Sequence, residues 1–187
     1  MLRQSILLAV CGYPTFLWLG AQEAKKYQNN VYYFSINIPT KSRETLTIVE
    51  PRPPEPAHGF TININDEIRS IVIYSSYNST FEGNTPESFH VWLRDESVTN
   101  MRTLSWGPYN KSGLMGYRAI SIQSSEDKGR IVIESIRIFR PSKSTVGSPG
   151  IWYEFRLNSD VEHYIEDSNV FNQLICSFKT TRSKYFK

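Results

Sequence analysis

Apolar and polar positions alternate with a period of two along most of the chain, the pattern of strands with one buried face. The segment 31–38 places Tyr32, Phe34, Ile36 and Ile38 on one parity and ends at Pro39. Similar β-branched and aromatic runs follow at 45–49, 60–64, 68–74, 89–93, 101–106, 117–122, 130–139 and 151–157. No strong helical period separates them. The pattern predicts an all-β fold: a single antiparallel β-sandwich, immunoglobulin-like or jelly-roll-like. Pro51, Pro53, Pro54 and Pro56 mark an extended, polyproline-like connector. Turn residues concentrate at 76–86, 107–116 and 141–150, which reads as loops at the ends of the sandwich.

Three details of the pattern carry specific expectations. In 130–139, Ile131 and Ile133 share one parity while Ile136 and Ile138 share the other. An extra residue near Glu134 and Ser135 would restore alternation, so a bulge is expected there. In 151–157, Trp152 and Phe155 lie on opposite parities, so at most one of them points squarely inward unless the strand is bulged or buried on both faces. In the tail, Phe171, Leu174, Ile175 and Phe178 have helical spacing, with Ser168 as a possible cap. A short helix and an extended strand both fit this segment.

The amino terminus divides the chain further. Arg3, an almost wholly apolar run from 6 to 21, and the small residues Gly20, Ala21 and Ala24 have the three-part layout of a secretory signal peptide. The expected organisation is a signal peptide at 1–21, a linker at 22–30, the β-sandwich domain at 31–158 and a tail at 159–187. The implied localisation is exported: periplasmic, cell-surface or extracellular. An uncleaved anchor is the rival reading; Lys25 and Lys26 favour it, while Pro14 and the shortness of the run oppose it. Cleavage would leave Cys176 as the one remaining cysteine, so no internal disulfide is expected. As a free thiol within LICSF, Cys176 is expected to be a small buried hydrophobe, with a link between chains or a nucleophile as the alternatives.

Composition narrows the function. Aromatics make up 13% of the residues, which suits an all-β domain, and a net charge of +3 is too small to imply nucleic acid unless clustered. After Asp167 the tail holds Lys179, Arg182, Lys184 and Lys187 and no acid, which reads as a solvated end or as an attachment to an anionic surface. His58, His90 and His163 are too scattered for a metal set. Residues 63–67 (NINDE) bring oxygens together but lack the spacing of a calcium loop. No serine sits in a nucleophile elbow. No cofactor, metal or catalytic residue is assigned.

Trp92, Trp106 and Trp152 could stack on sugars if exposed, and would otherwise be packing residues. Trp106 and Tyr109, flanking Gly107 and Pro108, are the aromatic pair expected to bind a ligand. The expected function is therefore an exported, non-enzymatic β-sandwich acting as an envelope or surface module of unknown ligand. A secreted carbohydrate-binding module is the first alternative and a hydrolase the second. The expected partner is an envelope or surface component, with a glycan as one candidate. No nucleic acid is expected, and no membrane span after cleavage. Asn78 and Asn110 head glycosylation sequons, which only a eukaryotic secretory pathway would use.

The residues also carry a resemblance. YYFSINIPT (32–40) followed by ETLTIVE (44–50), TFEGNTP (80–86), GRIVIE (129–134), RPS (140–142) and GIWYEFRL (150–157) resemble, in order and spacing, a family of exported cyanobacterial proteins built on a domain of unknown function. Two positions depart from it: Arg140 precedes Pro141 where that family has Asn, and SEDKG (125–129) stands where a Pro-Gly turn is usual. The resemblance implies a β-sandwich fold and export, and its stress on Tyr153 and Phe155, which share a parity, makes them the expected inward pair. It implies no activity.

Overall fold

The structure, a computed structural model, describes residues 25–39, 46–49, 58–64, 68–78, 101–111, 113–125, 129–143 and 150–186. The signal-peptide reading, the polyproline connector, the 89–93 strand with His90 and Trp92, and residues 65–67 lie outside the described residues.

Ten strands and one helix are described. They are β1 (Lys25–Asn29), β2 (Phe34–Ile38), β3 (Leu46–Val49), β4 (Gly59–Ile64), β5 (Ser70–Asn78), β6 (Met101–Lys111), β7 (Leu114–Ser125), β8 (Gly129–Arg140), β9 (Gly150–Asp160), α1 (Tyr164–Ser177) and β10 (Lys179–Thr180). Seven strands form one antiparallel sheet in the order β3-β4-β5-β9-β8-β7-β6. It consists of two meanders, β3 to β5 and β6 to β9, joined where the last strand pairs with β5 from Ser70↔Asn158 to Asn78↔Gly150. A three-stranded sheet, β1-β2-β10, is separate. Gly59 lets β4 press against β5, because a side chain there would run into the Ile73 carbonyl.

The register aligns apolar residues on one face of the large sheet. Ile73 sits opposite Phe155, Phe155 opposite Ile136, and Tyr153 opposite Ile138. Phe34, Ile36 and Ile38 of β2 and Val170, Phe171, Leu174 and Ile175 of α1 close over this inner face. Phe178, at the helix end, joins the three groups. Its ring lies 5.8 Å from Phe34, 5.0 Å from Tyr153 and 5.1 Å from Phe155. Burying each such side chain contributes roughly 1.5–3 kcal/mol. The all-β antiparallel character thus holds, with a helix added. Of the two readings of the tail segment the helix is the one that forms, and it lies with the small sheet over the inner face of the large one.

Four expectations need correction. Residues 25–29 of the linker form β1, paired with β2. The tail does not stand apart from the domain, since α1, β10 and the buried Phe186 belong to the same core. Ser168 lies inside α1, whose first residue is Tyr164; the chain enters it through a turn in which the His163 N–H donates to the Asp160 carboxylate at 2.8 Å. β8 runs without a bulge against both neighbours. Its parity change arises because both faces carry isoleucine and Glu134 points into the inner face, fully buried. The register shift that does occur lies in β6, between Thr103 and Ser105.

Candidate binding surfaces and the buried polar groups

Buried charges would be the natural seat of chemistry, but here they tie elements together. The Arg69 guanidinium, from the approach to β5, donates to both carboxylate oxygens of Asp167 at 2.8 and 2.6 Å. Ser159 of β9 donates its hydroxyl to the same carboxylate at 2.7 Å. Tyr164 and Ser168, on either side of Asp167 along α1, donate to Glu134 of β8 at 2.8 and 3.3 Å. The Arg118 guanidinium of β7 meets the other oxygen of Glu134 at 2.7 Å. Burial first, then the Glu134 charge, pushes the Tyr164 hydroxyl well above the ordinary tyrosine range. Two carboxylates thus pin the helix to the sheet: both oxygens of Asp167 are hydrogen-bonded, while Glu134 has one oxygen hydrogen-bonded by α1 and the other facing Arg118 as an ion pair.

A third group of contacts joins the ends of the chain. Tyr33 is the one described non-glycine residue with positive φ, at 54°. Its turn is stabilised by Asn29, whose side-chain oxygen accepts the N–H of Val31 and of Tyr32 at 3.0 and 2.8 Å. The Tyr33 carbonyl accepts from buried Arg140 at 3.3 Å and from the Thr181 N–H at 2.8 Å. Tyr153 donates to the Tyr32 carbonyl at 2.8 Å, and burial pushes its hydroxyl up to about 12.

The histidines are held by local contacts. His58 places Nδ1 2.6 Å from the Ser75 carbonyl and stacks on Tyr74 at 4.9 Å. His163 contacts Asp160; burial raises that carboxyl, but the hydrogen bonds from His163 outweigh it and leave the group below its ordinary value. Among the described residues, no three His, Cys, Asp or Glu side chains are grouped to hold a metal ion. Cys176 is exposed, contrary to the expectation of burial. The helical turn that buries Leu174 and Ile175 carries the next residue outward.

The candidate pair, Trp106 and Tyr109, is separated by the sheet. β6 continues through Gly107 and Pro108 to Lys111, and Gly113, with a φ of 80°, turns the chain into β7. The loop expected at 107–116 is therefore a tight hairpin. Among the described strands β6 is the outermost of the sheet, a position in which a strand tolerates Pro108. Three residues apart on one strand, the two rings face opposite ways. Tyr109 lies half-buried against the core. Trp106 is 45% exposed on the outer face, opposite Ala119. Leu104, 54% exposed, precedes it on the same strand, and Met115, 59% exposed, lies beyond it on β7. Sequence reading missed both, although LxW followed by Pro is the alternation of an exposed apolar edge. Trp152 is no stacking platform: it is buried on the outer face, 4.8 Å from Phe139 and under the Arg137 guanidinium at 4.4 Å.

No family model and no curated protein matches the chain, so the resemblance to an exported cyanobacterial family gains no support at the level of sequence. Solved structures do match its fold. Cyanobacterial PsbP (CyanoP) from Synechocystis sp. PCC 6803 aligns with a TM-score of 0.57 at 11% identity, over 91% of this chain and 98% of its own. LpqN of Mycobacterium tuberculosis, described as involved in cell envelope biogenesis, aligns with a TM-score of 0.57 at 9% identity, over 87% and 93%. The Ran-binding protein Mog1p of Saccharomyces cerevisiae aligns with a TM-score of 0.51 at 11% identity, over 89% and 100%. At such identities the likeness is one of fold, and the chain shares the architecture of these three proteins over nearly its whole length.

Proposed function

We propose that this chain is an exported, non-enzymatic envelope or surface module that holds a protein partner against the β6–β7 edge. The observation that carries the reading is that Leu104 and Trp106 of β6 and Met115 of β7 are exposed along the outermost described strands of the large sheet. Exposed tryptophan beside leucine and methionine has the composition of a protein-binding hot spot. The buried carboxylates support a non-enzymatic role, because they are engaged in holding α1 to the sheet. Two fold neighbours are described as Ran-binding and as involved in cell envelope biogenesis, which accords with an accessory role here.

The test is retention of envelope proteins by the immobilised full chain, compared with Trp106→Ala and with Ile165→Ala on the exposed side of α1. A species retained by the parent and by Ile165→Ala, and lost with Trp106→Ala, supports the edge. Retention that ignores Trp106→Ala removes it. A glycan-array signal that depends on Trp106 would favour the carbohydrate-binding alternative, and turnover of an ester or glycoside would overturn the non-enzymatic reading.

A further inference from the structure

A second surface, remote in sequence from the β6–β7 edge, is marked by charge. β2 lies between β1 and β10, with Lys26 opposite Asn37, Gln28 opposite Ser35 and Lys179 also opposite Ser35. Phe34, Ile36 and Ile38 point into the core, so this alternate row lies on the other face, where Lys26, Gln28, Asn37 and Lys179 are exposed and Ser35 is buried. Its two ends are the exposed Lys26 and Lys179.

The tail extends the same character. Thr181 is tied to Tyr33, and Lys143 binds the tail twice, through its N–H to the Tyr185 carbonyl at 2.8 Å and its ammonium to the Ser183 carbonyl at 2.9 Å. Phe186 anchors the end, stacked on Tyr77 at 6.0 Å. These contacts hold the exposed Arg182 and Lys184 on an ordered tail, with the Tyr185 ring 54% exposed beside them. No acid occurs in 25–43 or in 168–187. The exposed acids of α1 and its entry, Glu162 and Glu166, stand at the opposite end of the helix from Ser177, whose hydroxyl meets β2 at Asn37. Among the described residues, β1, β2, β10 and the tail that follows β10 thus carry basic side chains and no acid.

We propose that this region is a docking face for an anionic lipid surface. The favoured occupant follows from its place in the sequence. β1 opens with Lys25, four residues beyond Ala21, where the apolar run ends. A chain that retains that run has β1 within a few residues of a bilayer, with Lys26 and Lys179 on one exposed row. A cleaved chain keeps the same face as a reversible electrostatic contact. Cations near an anionic leaflet each strengthen binding, and an exposed tyrosine suits the headgroup region.

The experiment uses the full chain and a variant with the same amino terminus carrying Lys26→Ser, Lys179→Ser, Arg182→Ser and Lys184→Ser. Co-sedimentation is measured with phosphatidylcholine vesicles and with vesicles containing phosphatidylglycerol. The parent should prefer the anionic vesicles, with the preference shrinking as salt rises. Each charge removed should weaken that preference by about fivefold. Equal partition of the parent between the two vesicles, or a variant that keeps the preference while melting like the parent, overturns the proposal. Binding of the parent to soluble polyglutamate or RNA without a preference for anionic vesicles also overturns it, in favour of an acidic macromolecule. The variant leaves Trp106 untouched, so retention of a partner at the β6–β7 edge reads out separately.

Discussion

Arg69 and Asp167 form a two-pronged ion pair inside the protein, with side chains 5% and 0% exposed. One residue leads into β5 and the other lies in the first turns of α1. The pair therefore fixes where the helix crosses the sheet, and Ser159 on β9 completes the carboxylate's partners. Removing one partner of a buried pair leaves the other charged and without compensation. Asp167→Ala should destabilise the protein by about 3–5 kcal/mol in chemical denaturation. The combined Arg69→Met and Asp167→Leu variant should lose less than Asp167→Ala alone. An additive double-mutant cycle would show that the two residues act separately.

Glu134 poses a milder case, because Arg118 retains 31% side-chain exposure and can turn toward water when its partner is lost. Glu134→Ala should destabilise by about 1–3 kcal/mol, the range for stranded buried hydrogen-bonding groups. Glu134→Gln keeps an acceptor for Tyr164 and should lose less. It also removes the charge that helps hold the Tyr164 proton, so that hydroxyl should ionise at lower pH than in the parent. Spectrophotometric titration of the tyrosines reads this directly. An unchanged profile would mean that burial alone controls Tyr164.

Tyr153 predicts a sign for alkaline stability. Its pKa is raised from 10.0 to about 12 in the folded protein by burial. Folding therefore favours the protonated form. The contribution is complete below the unfolded value of 10.0 and is lost as pH rises from there toward 12. Tyr153→Phe gives up the bond to the Tyr32 carbonyl, about 1 kcal/mol, and should show a shallower decline of stability across that window. Melting temperatures measured on both sides of the window test it, and parallel declines in parent and variant would reject it.

The inner core was readable because alternation reports burial wherever one face is dry. Phe34, Ile36 and Ile38 lie in the core where their parity puts them, and so do Tyr153 and Phe155, the inward pair that the resemblance implied. Phe34→Ala and Phe155→Ala should each cost about 3–5 kcal/mol on equilibrium unfolding, and parent-like stability in both would contradict the observed register. Alternation failed where both faces are buried. In β8 and β9 the outer-facing Ser135 and Trp152 are as dry as the inner residues, so no bulge is needed to explain Ile131 and Ile133. Glu134 was opaque for a different reason: its partners Tyr164, Ser168 and Arg118 come from α1 and β7, and their meeting depends on the helix crossing that face. The pairing of Trp106 with Tyr109 failed because Gly107 and Pro108 were read as a loop, whereas an edge strand accommodates both.

Trp106 and Trp152 form the sharpest contrast the fold offers. Both lie on the outer face of the large sheet, yet one is 45% exposed and the other 2%. Trp152→Ala empties a filled site beside Phe139 and strips the surface on which Arg137 rests, so it should destabilise by about 3–5 kcal/mol. Trp106→Ala removes a ring little more than half covered and should cost about 1 kcal/mol, well below the loss at Trp152. If the β6–β7 edge is the binding surface, Trp106→Ala should weaken partner binding by about 2 kcal/mol, within the hot-spot range. Leu104→Ala should add a smaller loss from the same strand. Denaturation and binding measured on the same protein preparations separate the two roles. A Trp106→Ala protein that unfolds as readily as Trp152→Ala would make Trp106 a packing residue, and its loss of binding would then say nothing about the edge.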